Sequence, residues 1–223
     1  MIFILHEEAS KSILTLKGDL HKYIVKVRRQ KKGDELYFRS KEDMTILHKY
    51  EITDVDGRSL DLKLISSTLL EVKSSQYLHI GWCVIDVKSI EKVLPSLNEI
   101  GVSKISFIYC DRSQKNFKLD FNRFERILDS SMEQCGRTSI MEFDTYKNIE
   151  EFIKEFPQTK VFDFCENILQ DGNDFETVLI GCEGGFSKNE RELLKTQENF
   201  RLDTPMVLRS ESAALAVASK LLL

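Results

Sequence analysis

Along the first 72 residues apolar and polar positions alternate in five short runs, Ile2–Leu5, Ile13–Leu16, Glu35–Phe38, Met44–Ile52 and Leu60–Ile65, separated by turn formers such as Asp56-Gly57-Arg58. A period near two in runs this short predicts strands, and together they predict a small barrel. Asp19 is placed to cap the one helix among them. From Gln76 the pattern changes to strands alternating with helices, which predicts a mostly parallel sheet with helices on its faces. Tyr77–Ile85 reads as a strand. Val87, Ile90, Val93, Leu94, Leu97 and Ile100 follow at helical spacing, Gly101 supplies the stop, and Pro95 predicts a kink or a late start. Val102–Cys110 is the next strand, and Asp120 caps a helix whose face is Phe121, Phe124, Ile127, Leu128, Met132 and Cys135, ending at Gly136. Ile149–Phe156 predicts a short helix closed by Pro157, and Lys160–Cys165 and Glu176–Cys182 predict strands. The last helix, Ser212–Leu223, is apolar nearly all round, so it is expected to be buried within its own domain or against a partner chain. The expectation is an α/β chain of two domains, residues 1–72 and 73–223.

One stretch of the second domain is built differently. Val178 to Ile180 is an apolar run, Gly181-Cys182-Glu183-Gly184-Gly185 is a glycine-rich turn, and Ser187 with Glu190 matches a capping box ahead of Leu193 and Leu194. Glycines there let main-chain groups approach a ligand, because no Cβ stands in the way. Ligands in α/β sheets commonly bind at the carboxyl ends of strands, so the loop is a candidate site, though glycine turns are often only turns.

Composition narrows the class. An apolar share of 42% with 30% charged residues describes an ordinary globular protein. The N-terminus lacks the basic flank and length of a signal peptide, so a cytoplasmic location is expected, with no membrane segment. Five widely spaced cysteines, without a Cys-x-x-Cys pair, predict reduced and mostly buried thiols. The four histidines have no spacing suited to a metal, so no metal is expected. Net charge is −4, which argues against indiscriminate nucleic-acid binding. The charge is uneven, however: residues 1–73 carry 14 Lys+Arg against 12 Asp+Glu, and the remainder 18 against 24. Lys22, Lys26, Arg28, Arg29, Lys31 and Lys32 follow one another with no acid between, either a phosphate-binding patch or a solvated helix face.

Four segments then stand in order: Glu99-Ile100-Gly101-Val102, Glu133-Gln134-Cys135-Gly136-Arg137, Ile180 through Gly185, and Leu208-Arg209-Ser210-Glu211-Ser212. In these the chain resembles the bacterial small-subunit ribosomal RNA (uracil-N3)-methyltransferases, of the SPOUT or α/β-knot class. That family carries Glu-Leu-Gly-Val, Glu-Gln-Cys/Ser-Gly-Arg, Ile-Gly-Pro-Glu-Gly-Gly and Leu-Arg-x-Glu-Thr segments. The likeness covers nearly the whole chain, since residues 1–72 also fit the family's PUA-like barrel. There are departures. Cys182 replaces Pro, Met206 falls where Arg is usual, Thr204-Pro205 disturbs a Leu-Gly-x-Arg segment, Ser96 stands where Lys is frequent, and Ser212 replaces Thr.

The resemblance implies S-adenosylmethionine as cofactor, a C-terminal SPOUT domain threaded through a trefoil knot, a homodimer with sites at the interface, and small-subunit (16S) ribosomal RNA as target. The expected reaction is methylation of uridine N3, probed on the folded particle because the chain is acidic. The cofactor would rest on Phe164, Cys165, Leu179, Ile180, Gly181, Cys182, Glu183, Gly184, Gly185, Met206, Val207, Leu208, Arg209 and Ser212. Arg209, Glu211 and Arg112 are the catalytic candidates. Arg112, Arg137 and the six basic residues from Lys22 to Lys32 are the RNA-binding ones. Arg209 has a plainer reading, an ion pair with Glu211 or Glu183, and Glu211 either orients it or acts as base. A sulfonium leaves as a neutral group, so the chemistry asks for no Lewis acid. Two alternatives stand beside this: an RNA-binding assembly factor with a degenerate donor site, and a methyltransferase of the same class with another RNA target.

Overall fold

The computed structural model describes residues 2–113, 118–170 and 172–223, so Gln114 and Lys115 of the polar loop after Cys110 lie outside the described residues. The chain divides into two compact units, residues 1–73 with 132–139, and residues 74–131 with 140–223.

The first unit holds a five-stranded sheet of β1 (Ile4–Leu5), β2 (Ile13–Lys17), β3 (Glu35–Arg39), β4 (Ile46–Val55) and β5 (Ser59–Leu69), in the order β1-β3-β4-β5-β2. Its pairs are antiparallel except β1 with β3. Alternation places Leu14, Leu16, Phe38, Tyr50, Ile52, Leu60 and Leu62 in one core, and two register shifts in β4 help curl the sheet as a barrel-like domain requires. The Tyr50 hydroxyl donates to the carbonyls of Ala9 and Lys11, both at 2.6 Å, so its burial leaves no unpaired oxygen. The helix expected to start from an Asp19 cap differs. α1 (Gly18–Lys22) begins two residues earlier than an Asp19 cap would start it, with Gly18 at φ +67 and no side-chain cap, and continues as a wider π turn over Tyr23–Val27. Only Lys22 and Lys26 of the basic run are therefore helical; Arg28, Arg29, Lys31 and Lys32 lie on the loop before β3.

The Glu133-to-Arg137 segment packs in this first unit. Ile2 N–H donates to the Glu133 carbonyl at 2.7 Å, and Leu5 N–H to its carboxylate at 2.8 Å. Met132 packs with Phe3 and Met44.

The second unit is a six-stranded sheet in which every pair is parallel. Its strands are β6 (His79–Cys83), β7 (Lys104–Ile108), β8 (Glu142–Tyr146), β9 (Lys160–Phe162), β10 (Thr177–Ile180) and β11 (Asn199–Phe200), in the order β11-β9-β10-β6-β7-β8. β6 is central and buried along its length, as a strand covered on both faces must be. Gly81 is required there, since a Cβ would stand 2.4 Å from the Phe152 ring. α2 (Val87–Ile100) is capped by Asp86, which accepts from Ser89 N–H at 3.0 Å, and stops at Gly101 with φ +113. Pro95 lies inside this helix rather than delaying its start. Asp120 caps α3 (Phe121–Cys135), accepting from Arg123 N–H at 3.0 Å. α4 (Ile149–Glu155) follows Asn148, and α5 (Lys188–Leu193) follows Ser187. Leu194 is buried but Leu193 is 38% exposed, so only the former joins the core. α6 (Ser210–Leu222) starts two residues before the expected Ser212 and buries Ala214, Val217, Ala218 and Leu221. β8 and β11 escape the apolar pattern because each is a sheet edge: β8 is Glu-Phe-Asp-Thr-Tyr, and β11 is two residues long. Among the described residues no helix is long and apolar enough to cross a membrane.

Candidate active site

The glycine loop leaves β10 at Ile180 and is held from three directions. From within, Gly185 takes φ +63 and its N–H donates to the Cys182 carbonyl at 2.8 Å. From α5, Ser187 and Glu190 form the capping box, with Ser187 N–H donating to Glu190 Oε2 at 2.7 Å and Glu190 N–H to Ser187 Oγ at 3.2 Å. The other oxygen, Oε1, accepts from Asp111 N–H at 2.7 Å, and Ser187 Oγ donates to Asp111 Oδ2. A buried carboxylate thus joins the β7 loop to the glycine loop. From α6, Ser210 Oγ donates to the Gly181 carbonyl while accepting from Trp82 Nε1–H at 2.8 Å.

Arg112 follows from the Asp111 anchor. Its guanidinium donates to the Gly184 carbonyl, and its stem lies so close that a Cβ on Gly184 would be 3.2 Å from Arg112 Cδ. A side chain at Gly184 would have to displace that stem by a few tenths of an ångström.

These elements enclose a cavity of about 270 Å³. Phe162, Asp163 and Phe164 line it from the end of β9, and Ile180 to Phe186 from the end of the neighbouring β10. Phe200, Arg201, Leu202, Thr204, Met206, Val207 and Leu208 close it, with Arg191 from α5 and Ser210, Ala213 and Val217 from α6. Phe164 is 71% exposed, a large apolar ring left at the rim. Asp163 and Arg191 pair at 3.0 Å, and Arg191 Nε–H also donates to the Phe186 carbonyl at 3.3 Å. Among the described residues the main-chain groups of Val207 and Leu208 make no protein hydrogen bond. Flat apolar walls beside unpaired main-chain donors and acceptors suit a planar heterocycle with a polar edge.

Of the residues expected to form a cofactor site, Phe164, Ile180, Gly181, Cys182, Glu183, Gly184, Gly185, Met206, Val207 and Leu208 line this cavity. Leu179 is buried within β10, Cys165 points its thiol to the Asn167 carbonyl, Ser212 is exposed, and none of them is on the wall. Arg209 is exposed at the start of α6, its carbonyl accepting from Ala213 N–H at 2.8 Å, and forms no ion pair with Glu183 or Glu211. Glu211 is half-buried, and its Oε2 is buried without a hydrogen-bond partner among the described residues. The six basic residues from Lys22 to Lys32 are all exposed, Lys22 pairing with Asp19 at 2.9 Å. Arg137 is not: it is 6% exposed and its Nε–H donates to Ser139 Oγ, so it offers no open face to a phosphate.

Asp163, Arg191, Ser210 and Trp82 are members that the linear pattern did not single out. Ser210 sat unmarked inside a segment already singled out, and Trp82 is the chain's one tryptophan. Neither residue type announces a bridge between a strand and a distant helix.

Beneath Cys182 of the loop lies a second thiol: Cys110 Sγ is 3.6 Å from Cys182 Sγ and 3.1 Å from Ser113 Oγ. Among the described residues no cysteine is in a disulfide. Among the described residues no group of His, Cys, Asp or Glu is arranged to hold a metal ion.

An RNA methyltransferase domain model matches residues 72–222. The chain is 41% identical over 223 residues to ribosomal RNA small subunit methyltransferase E of Helicobacter pylori (strain ATCC 700392 / 26695), covering 98% of each chain. It is 24% identical to the protein of the same name from Aquifex aeolicus, covering 99% of this chain and 98% of that one. A Legionella pneumophila methyltransferase solved with bound SAM shares the fold with a TM-score of 0.76, at 22% identity over 99% of this chain and 95% of that one. Ribosomal RNA small subunit methyltransferase E of Neisseria gonorrhoeae, solved bound to S-adenosyl methionine, gives 0.75 at 15% identity, covering 98% and 95%. A domain match over two thirds of the chain, and end-to-end identity at this level, mean that the chain belongs to the RNA methyltransferase family.

Proposed function

We propose that this chain transfers the methyl group of S-adenosylmethionine to N3 of a specific uridine in small-subunit ribosomal RNA, on the folded ribosomal particle. The observation that carries the reading is the cavity at the carboxyl ends of β9 and β10, lined by glycine main chain and phenylalanine rings. An adenine ring fits that shape, with Val207 and Leu208 main chain available to its edge. The names of the relatives support the substrate, and the SAM-bound neighbours support the cofactor.

When bound, the cofactor supplies an electrophilic methyl group on a sulfonium that leaves as a neutral thioether. The chain's own residues must do the rest. Uracil N3 keeps its proton at neutral pH, so the site has to favour the anionic base and hold it in line, where positioning alone is worth roughly 7 kcal/mol or more in good cases. Arg112, fixed by Gly184 and by the Asp111 anchor, and Arg209, open to solvent at the start of α6, present guanidinium donors to the uracil oxygens or the flanking phosphate. Carboxylates are weak bases for an imide, so Glu211 is not the base in this reading, and orienting Arg209 would require the two side chains to make a contact they do not make among the described residues.

In this reading residues 1–72 form a PUA-like barrel and residues 73–223 a SPOUT domain with a trefoil knot. Lys22, Lys26, Arg28, Arg29, Lys31 and Lys32 hold phosphates, which offsets the few kcal/mol, roughly, of unstacking the target base. A cytoplasmic homodimer completes the site. Its support is apolar surface beside the cavity, Met206 and Val207 being more than half exposed and Ala213, Leu215 and Leu222 of α6 only partly buried.

Mass spectrometry of ribosomal RNA nucleosides tests the activity. A strain lacking the protein should lose N3-methyluridine from its small-subunit RNA and regain it on complementation; persistence of the mark in the deletion strain ends the proposal.

A further inference from the structure

Cys182 belongs to the glycine loop and lines the cavity, 7% exposed, whereas Cys110 beneath it is 1% exposed and Cys83 fully buried. A small oxidant entering the cavity therefore meets Cys182 first. Its Sγ stands 3.6 Å from Cys110 Sγ, and a disulfide of about 2.0 Å needs them only about 1.5 Å closer. The carrier on one side is a loop, the kind of segment that can yield that distance without moving the sheet.

The surroundings favour the second sulfur as the attacking partner. The neighbouring sulfurs of Cys182 and Cys83 hold the Cys110 thiol below its ordinary range, with Ser113 adding to them against the opposing effect of burial. The same bond to Cys110, then burial, pushes Cys182 up. Burial raises Cys83 well above the ordinary thiol value too, so Cys110 is the readiest thiolate of the three.

We propose that Cys182 and Cys110 form a reversible oxidation site, in which a peroxide entering the cofactor cavity joins the two thiols and thereby closes the loop to the cofactor. In the first step the Cys182 sulfur attacks one peroxide oxygen, the O–O bond breaks, and a sulfenic acid and water form. In the second, the Cys110 thiol attacks the Cys182 sulfur, the S–O bond breaks, the thiol proton leaves with the departing hydroxide, and a disulfide and a second water form. Two electrons pass from the thiol pair to one hydrogen peroxide. Closing the bond draws Cys182 inward and with it the Cys182 carbonyl that anchors Gly185, so the glycine wall is reshaped. The consequence for the cofactor rests on the proposed function; the thiol chemistry does not.

The reduced full-length chain would be treated with stoichiometric hydrogen peroxide, blocked with iodoacetamide, digested without reductant and mapped by mass spectrometry. A Cys110–Cys182 cross-linked peptide is expected in the wild type and in Cys83→Ser, and not in Cys110→Ser. Calorimetry on the same samples should show S-adenosylmethionine binding at least tenfold weaker after oxidation and restored by dithiothreitol. Conversion of Cys182 to its sulfinic acid without a cross-link, a link from Cys110 to Cys83 instead, or unchanged binding by the linked protein each overturns the proposal. If the reduced wild type gives no heat with S-adenosylmethionine, the cofactor reading falls while the cross-link map still decides the thiol chemistry.

Discussion

Arg209 shows how little a residue's neighbours in sequence say about its role. Among the described residues neither of the two acids within reach by sequence or motif, Glu211 and Glu183, pairs with its guanidinium, and the side chain stays exposed where α6 begins. On the proposed mechanism that open guanidinium meets the base as its charge develops. Arg209→Ala should lower the transfer rate by about 10²–10³-fold, the usual cost of one charge-stabilising donor. Affinity for S-adenosylmethionine should stay within about tenfold, roughly 1.4 kcal/mol, because the cavity wall is formed by other residues. Single-turnover kinetics beside calorimetry separates the two, and a fully active variant would remove Arg209 from the chemistry.

Elements place the site through contacts that two residues serve at once. Glu190 closes the capping box of α5 and also accepts from Asp111 N–H, so one carboxylate fixes a helix end and the loop that carries Arg112. Glu190→Gln keeps the shape but offers one oxygen and one NH₂ where two N–H donors must be met. It should cost about 1–2 kcal/mol in urea unfolding, in the range of a lost cap with one buried donor left unsatisfied. Ser187→Ala removes the box and a hydroxyl bond to Asp111, and its effect should be strongly non-additive with Glu190→Gln because both act on the same two loops. Simple additivity in a double-mutant cycle would show that the β7 loop is held by something else.

At the scale of the whole molecule, pH acts on the centre of the second sheet. His79 is 1% exposed on β6, its Nε2 within 2.7 Å of Ser106 Oγ, and burial pulls its pKa down to about 4, with Lys104 adding to the effect. A folded value below the unfolded one, about 6.5, means that the unfolded chain takes the proton first. This contribution to stability is therefore complete above about pH 6.5 and drains away as pH falls towards 4. It amounts to about 3 kcal/mol at most over that window. Chemical denaturation from pH 7 to 4 should show the fall, and His79→Phe should flatten it. A wild-type curve without slope there would mean that the ring is protonated in the fold as easily as outside it.

Periodicity alone was enough for the helices and the inner strands. Leu97, Gly101 and the Asp86 cap mark α2 because local spacing and a left-handed stop are properties of adjacent residues. The capping box and the glycine loop were legible for the same reason, and so were most of the cavity wall's residues on that loop. Edge strands β8 and β11 were not, since half of an edge strand faces water and carries no apolar signature. Nor were the joins that make the site: Trp82 to Ser210 to Gly181, Asp111 to Glu190, and Cys110 to Cys182 each span 29 or more residues. Separations of that kind close only when parallel strands bring their carboxyl ends side by side, and no window of sequence contains that event. Arg137 is the counterpart: its charge suggested a surface, and packing in the first unit buried it.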